Sequence, residues 1–138
     1  MFGHRVPTAS ALVPMLLLLL ASPAVAQTRA VASSRPSSAA TLKSALRSVV
    51  AAQQQFREKR GRYAQSPEQL ALRLEPGVGV EVMAAGPWGW QGRAVHREQA
   101  GKSCVIFVGR IEGLEAPRTD GDREMAGEDG VPLCDRMR

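Results

Sequence analysis

The residues that could do chemistry are few. Cys104 and Cys134 are the only cysteines in 138 residues, and His96 is the only histidine beyond His4. Two cysteines can pair, or one can act as a nucleophile. A Cys104 thiolate would need a base, and His96 is the available one, but no third residue to orient the imidazole is evident. Zinc would need three or four nitrogen or sulfur ligands, which one histidine cannot supply if the cysteines pair. Asp120, Asp122 and Glu124 alternate in TDGDREMAGEDG. Oxygen ligands at that spacing begin a calcium loop. The pattern then departs from an EF-hand, with Met125 in the glycine position and Val131 in place of the closing glutamate. These three acids are weak calcium candidates beside the plainer reading of a solvated acidic loop. No glycine-rich phosphate loop, paired-carboxylate site or Ser-His-Asp set can be argued from this chain. The expectation is a protein without a cofactor or a catalytic site.

The composition narrows the context. Arg5 precedes an apolar run from Leu12 to Leu20, interrupted by Pro14, and Ala24-Val25-Ala26 follows. A basic start, a short apolar core and an A-x-A site describe a secretory signal peptide over residues 1–26. The apolar run is shorter than the about 20 residues that a membrane span needs. An uncleaved N-terminal anchor is the alternative. Export to the periplasm or the extracellular space would make an oxidising compartment, where two cysteines most simply pair. Residues 27–40, QTRAVASSRPSSAA, hold almost no bulky apolar side chain and read as a disordered linker, leaving residues 41–138 as the folded domain.

The elements that must position these residues follow from periodicity. Leu42, Leu46, Val49, Val50, Gln53 and Phe56 recur on one face of a 3.6-residue period. Ser37 or Ser38 suits the N-cap, and Gly61 the left-handed C-terminal cap. Arg57, Lys59 and Arg60 fill the last turn, favourably for the helix dipole. Ser66-Pro67-Glu68 opens a short helical segment through Leu70, continued by residues 71–74. Val78, Val80 and Val82 alternate like a half-buried strand, Gly86-Pro87 ends it, and residues 88–96 form a second strand with Trp90, Ala94 and His96 on one face. Ser103 to Val108 is apolar on both faces, as in a covered central strand. Short turns between these strands predict an antiparallel meander. The expected fold is α+β: one amphipathic helix packed on a three- to four-stranded antiparallel sheet.

Several of these residues carry a resemblance. A helix ending in Gly-x-Tyr, then a Ser/Pro turn and a leucine, resembles the head of type IV pilins and of the pseudopilins of type II secretion. The matching residues are Gln55, Phe56, Gly61, Tyr63, Pro67 and Leu70. The second half adds Gly89-Trp90, His96, Gly101-Lys102-Ser103-Cys104 and Gly109. The resemblance implies a Cys104–Cys134 disulfide closing the C-terminal loop, and partners among the proteins of the envelope or of the secretion and pilus machinery. Some pseudopilins bind calcium in that loop, and some minor pilins bind DNA. The chain also departs from a prepilin. Gly3 is followed by His4, no acidic residue precedes Glu58, and a proline-containing linker separates the apolar segment from the head. It resembles a pilin head without its assembly stem.

Charge is the remaining signal. Eighteen Lys and Arg against thirteen Asp and Glu give a net charge of +5. The basic residues gather between Arg29 and Arg62, and the acidic ones between Glu112 and Asp135. The two segments are expected to attract each other. Lys43, Arg47, Arg57, Lys59, Arg60 and Arg62 could meet phosphates, with Trp88 and Trp90 stacking on bases. A charged outer face is equally what any amphipathic helix shows. A non-catalytic, exported interaction or structural domain is the leading expectation, with extracellular DNA binding as the alternative.

Overall fold

A serine oxygen starts the helix. Ser37 accepts the Ala40 N–H at 3.2 Å, and helix α1 runs Ser38–Arg60. The computed structural model describes residues 37–138; the signal peptide and most of the linker expected from the sequence lie outside the described residues. Residues 38–40, expected in the linker, are the first turn of α1. The Ser37 cap and two alanines, the best helix formers, favour that turn even without bulky side chains. Gly61 ends α1 in the left-handed region at φ 71°, its N–H donating to the Arg57 carbonyl at 2.7 Å. A side chain would meet no atom there, so the preference for glycine is purely conformational.

The buried face of α1 is Leu42, Ala45, Leu46, Val49 and Gln53. Val50 and Phe56, at the margins of the expected stripe, are only half-buried against the core. The Phe56 ring has the Arg62 guanidinium over it at 5.5 Å. Each fully buried Leu or Val contributes about 1.5–3 kcal/mol, so the first half of α1, with Leu42, Leu46 and Val49, anchors the helix and its last turn contributes less.

A 3-10 turn follows at Pro67–Leu70 and buries Leu70. The expected continuation through residue 74 does not form. Ala71 takes a left-handed conformation at φ 48°, and Pro76 disfavours helical backbone at Glu75. The sheet is β1 (Val78–Gly86), β2 (Gly89–His96), β3 (Ser103–Gly109) and β4 (Leu133–Cys134), antiparallel and in the order β1-β2-β3-β4. A bulge at Met83 lets Val82 face Gly92 and Ala84 face Gln91. Alternation therefore shifts by one, and Ala85 rather than Ala84 joins the helix-side core.

The sheet has two covered faces. Helix α1 packs on the side carrying Val82, Trp90, Ala94, Cys104 and Ile106. Trp90 is 1% exposed, and its ring lies so close over Gly92 that a Cβ on Gly92 would sit 2.8 Å from it. The other face carries Gln91, Arg93, Ser103 and Val105, and the long 110–132 connection folds over it. Gln91 Nε2 donates to the Glu115 carbonyl at 2.7 Å, and Arg93 donates to both Asp120 oxygens at 3.0 Å. Pro117, Thr119 and Ala126 are buried in that layer. The expected attraction between the basic helix and the acidic loop is not how the loop is held. The ion pairs among the described residues join loop to sheet: Arg93 with Asp120, and Lys102 with Asp122, beside Arg93 with Glu81 inside the sheet. No helix among the described residues is long and apolar enough to cross a membrane.

Candidate functional site

The C-terminal tail is stapled first. Cys104 and Cys134 face each other across β3 and β4 and form a disulfide spanning 30 residues. The Cys104 sulfur is thus bonded, and no free cysteine is present. The alternative of a Cys104 nucleophile served by His96 has no thiol to work with in this state. His96 Nδ1 instead accepts the Glu98 N–H at 3.2 Å.

Next to the disulfide lies a knot of hydrogen bonds on Asp135, which is 3% exposed. Its Oδ2 accepts the N–H groups of Ser103 at 2.8 Å and Gly121 at 2.9 Å, and its Oδ1 that of Asp122 at 2.6 Å. Burial pushes the Asp135 pKa up. The donors at Asp122, the Thr119 hydroxyl, Gly121 and Ser103 outweigh it and hold the carboxyl at about 2. Asp122 is in turn lowered, first by the Arg136 N–H on its Oδ2, then, against burial, by Lys102.

The three weak calcium candidates are therefore not brought together. Asp120 is held by Arg93, Asp122 by Arg136 and Lys102, and the exposed Glu124 meets Thr119 through its backbone. Among the described residues, no group of three His, Cys, Asp or Glu side chains is placed to hold a metal ion.

The anchored loop shapes a cleft of about 520 Å³ beside the β1–β2 turn, lined by Trp88, Gln91, Phe107, Arg110, Ile111 and Leu114. Trp88 sits in the two-residue turn closed by the Gly86–Gly89 pair and is 74% exposed; Leu114 is 48% exposed. The turn is fixed by the Arg110 N–H donating to the Trp88 carbonyl at 3.1 Å. Gly109, at φ 69°, is required here because a Cβ would overlap that carbonyl oxygen. The Gly109 N–H goes to Asp129 Oδ2 at 2.9 Å. Trp88 is thus a solvent-facing indole on a fixed turn, with the aliphatic side chains of Ile111 and Leu114 beside it.

Five of the residues that carry the resemblance serve the fold. Tyr63, Leu70 and Trp90 are in the core, Phe56 is at its edge, and Gly61 is the cap. Of the two tryptophans considered for base stacking, Trp90 is buried and only Trp88 is accessible. Trp88 belongs to the loop-side cleft, whereas the basic helix residues lie over the opposite face of the sheet.

Sequence reasoning missed three features. Gln53, fully buried, grips the backbone of Ala64 through Nε2 to the carbonyl at 2.9 Å and the N–H to Oε1 at 2.7 Å. Asp135 looks like one acid among many, and its place directly after Cys134 is the available clue. The cleft depends on the path of the loop. Compared with known proteins, the chain matches no family model, no curated protein and no solved structure.

Proposed function

We propose that this chain is an exported, non-catalytic, pilin-like interaction domain that docks a protein of the cell envelope through the Trp88–Leu114 cleft. The exposed Trp88 carries this reading: a monomeric surface seldom leaves an indole 74% open on a fixed turn beside further apolar side chains. The cross-strand disulfide supports an oxidising compartment. The helix-on-sheet layout with a disulfide-closed loop agrees with the pilin-head resemblance. DNA binding draws less support, because the accessible aromatic and the basic helix lie on opposite faces of the sheet.

A photo-crosslinking residue placed at position 112, an exposed position on the rim of the same cleft that leaves Trp88 in place, tests this in cells that make the protein. The expected result is one dominant adduct, lost with Leu114→Asp. Position 51, on the outer face of α1, should give none. Equal, diffuse labelling from both positions would overturn the docking role.

A further inference from the structure

A second open cleft, of about 440 Å³, lies on the other side of the sheet, where the second half of α1 leaves the edge of β3. Its floor is apolar: Val50 from the helix and Val108 from the sheet, both half-buried, with the buried Trp90 beneath them. That size is within the range of small-ligand pockets. Its mouth carries one fixed cation. Arg57 Nη1 donates to the Tyr63 hydroxyl at 2.6 Å, and the guanidinium lies 4.8 Å from the centre of the Tyr63 ring. Tyr63 is itself 9% exposed, so it is a stable anchor.

Arg57 is thus oriented without being neutralised. Its partner is a neutral hydroxyl, and no carboxylate pairs with it among the described residues. Four guanidinium N–H groups have no hydrogen-bond partner among those residues. Gln54, one turn earlier on the same strip of the helix, offers a further donor at the rim. Glu58, the neighbouring acid on the lining, is solvent-exposed and makes no bond to Arg57. It sets a polarity across the mouth, with the anion-accepting side at Arg57.

We propose that this cleft binds a small apolar molecule ending in a carboxylate, with its hydrocarbon on Val50 and Val108, next to the buried Trp90, and its head group on Arg57. The driving terms are different in kind. Burial of the tail is proportional to area and indifferent to the head. The guanidinium–carboxylate bond is directional and selects for the anion. The site therefore distinguishes ligands of equal length by the charge of the head alone. It is separate from the Trp88 cleft and independent of the docking role.

The test uses full-length protein carrying Trp88→Phe, which leaves Trp90 as the only indole of the two. Octanoate, octan-1-ol and octylamine are titrated while Trp90 emission is followed. Octanoate should bind about tenfold tighter than octanol, the value of one charge-assisted hydrogen bond, and octylamine more weakly than octanol. Arg57→Gln should remove the preference for octanoate and leave octanol binding in place. Glu58→Gln, an exposed change that does not threaten folding, should tighten octanoate about two- to threefold and leave octanol unchanged. Three ligands that bind alike, a preference that survives Arg57→Gln, or octanoate affinity insensitive to Glu58→Gln would each overturn the proposal.

Discussion

The side chain of Asp135 stands in for its own carbonyl opposite Ser103. Its carboxylate accepts the Ser103 N–H at 2.8 Å, while its backbone N–H donates to the Ser103 carbonyl at 3.0 Å. One residue thereby ends the β3–β4 ladder and, through Gly121 and Asp122, ties down the acidic loop that returns over the sheet. Disulfide, carboxylate knot and the 119–122 part of the loop form one assembly at the Ser103 end of β3, while the Trp88 cleft lies at the Gly109 end.

Acid should act on this knot. The Asp135 pKa is depressed from 3.8 to about 2 in the folded protein. A depressed carboxyl contributes stability that is complete above the unfolded value and is lost as pH falls through the folded one, so the loss runs from about pH 4 down to about pH 2. The shift is worth about 2 kcal/mol. Asp135→Asn should cost about 2–3 kcal/mol at neutral pH and flatten the stability profile over that window. Urea unfolding at a series of pH values checks both; an unchanged slope in the variant would assign the acid sensitivity elsewhere.

Reduction should loosen the same region first. Closing a 30-residue separation contributes about 3–4 kcal/mol by chain entropy. With the disulfide reduced, limited proteolysis should cut within residues 110–133 before α1 or β1–β3 is touched. The Asp135 bonds and the contacts of Gln91, Arg93, Lys102 and Gly109 must then order a loop rich in glycine, proline and acids without the covalent tie, and its entropy opposes them. Simultaneous cleavage throughout the chain would show that the loop and the helix–sheet core unfold as one unit.

Gln53 should matter more than Phe56. Gln53→Leu keeps the volume but strands the buried N–H and carbonyl of Ala64, at about 2–4 kcal/mol. Phe56→Ala empties only a half-buried site and should cost about 1–2 kcal/mol, less than the full removal of a core aromatic. Arg57→Ala, which on periodicity alone looks neutral, should cost about 1 kcal/mol through its contacts with the Tyr63 ring and hydroxyl. Denaturant midpoints of the three variants give the order.

Trp88→Ala should leave the fold alone. Exposed substitutions stay within about 0.5 kcal/mol, and the Trp88 hydrogen bond is made by its carbonyl. The melting temperature should be unchanged while the crosslinked partner is lost. A large fall in stability would show that the indole packs for the fold.

What could be read in the sequence was what is local. The Ser37 cap, the Gly61 stop, the valine alternation of β1 and the continuous apolar run of β3 each depend on neighbours within a few residues, and the structure bears them out. Phe56 was misjudged because periodicity gives the side of a helix and not how far the sheet extends beneath it. The Gln53–Ala64 grip and the Ser103–Asp135 bond join residues 11 and 32 apart, and a polar side chain in a stripe does not announce its partner. Trp88 and Trp90 look alike in sequence. Strand parity sends Trp90 to the helix side, and the two-residue turn leaves Trp88 in solvent.

The premise beneath the functional reading is that the chain works outside the cytoplasm as an oxidised, stapled domain. Intact-mass measurement of the native protein, alkylated before and after reduction, examines it most directly. The account predicts a chain beginning at Gln27, with no alkylation of the native protein and two modified cysteines after reduction. A mass retaining residues 1–26, or a Cys104 that alkylates without reductant, would contradict it.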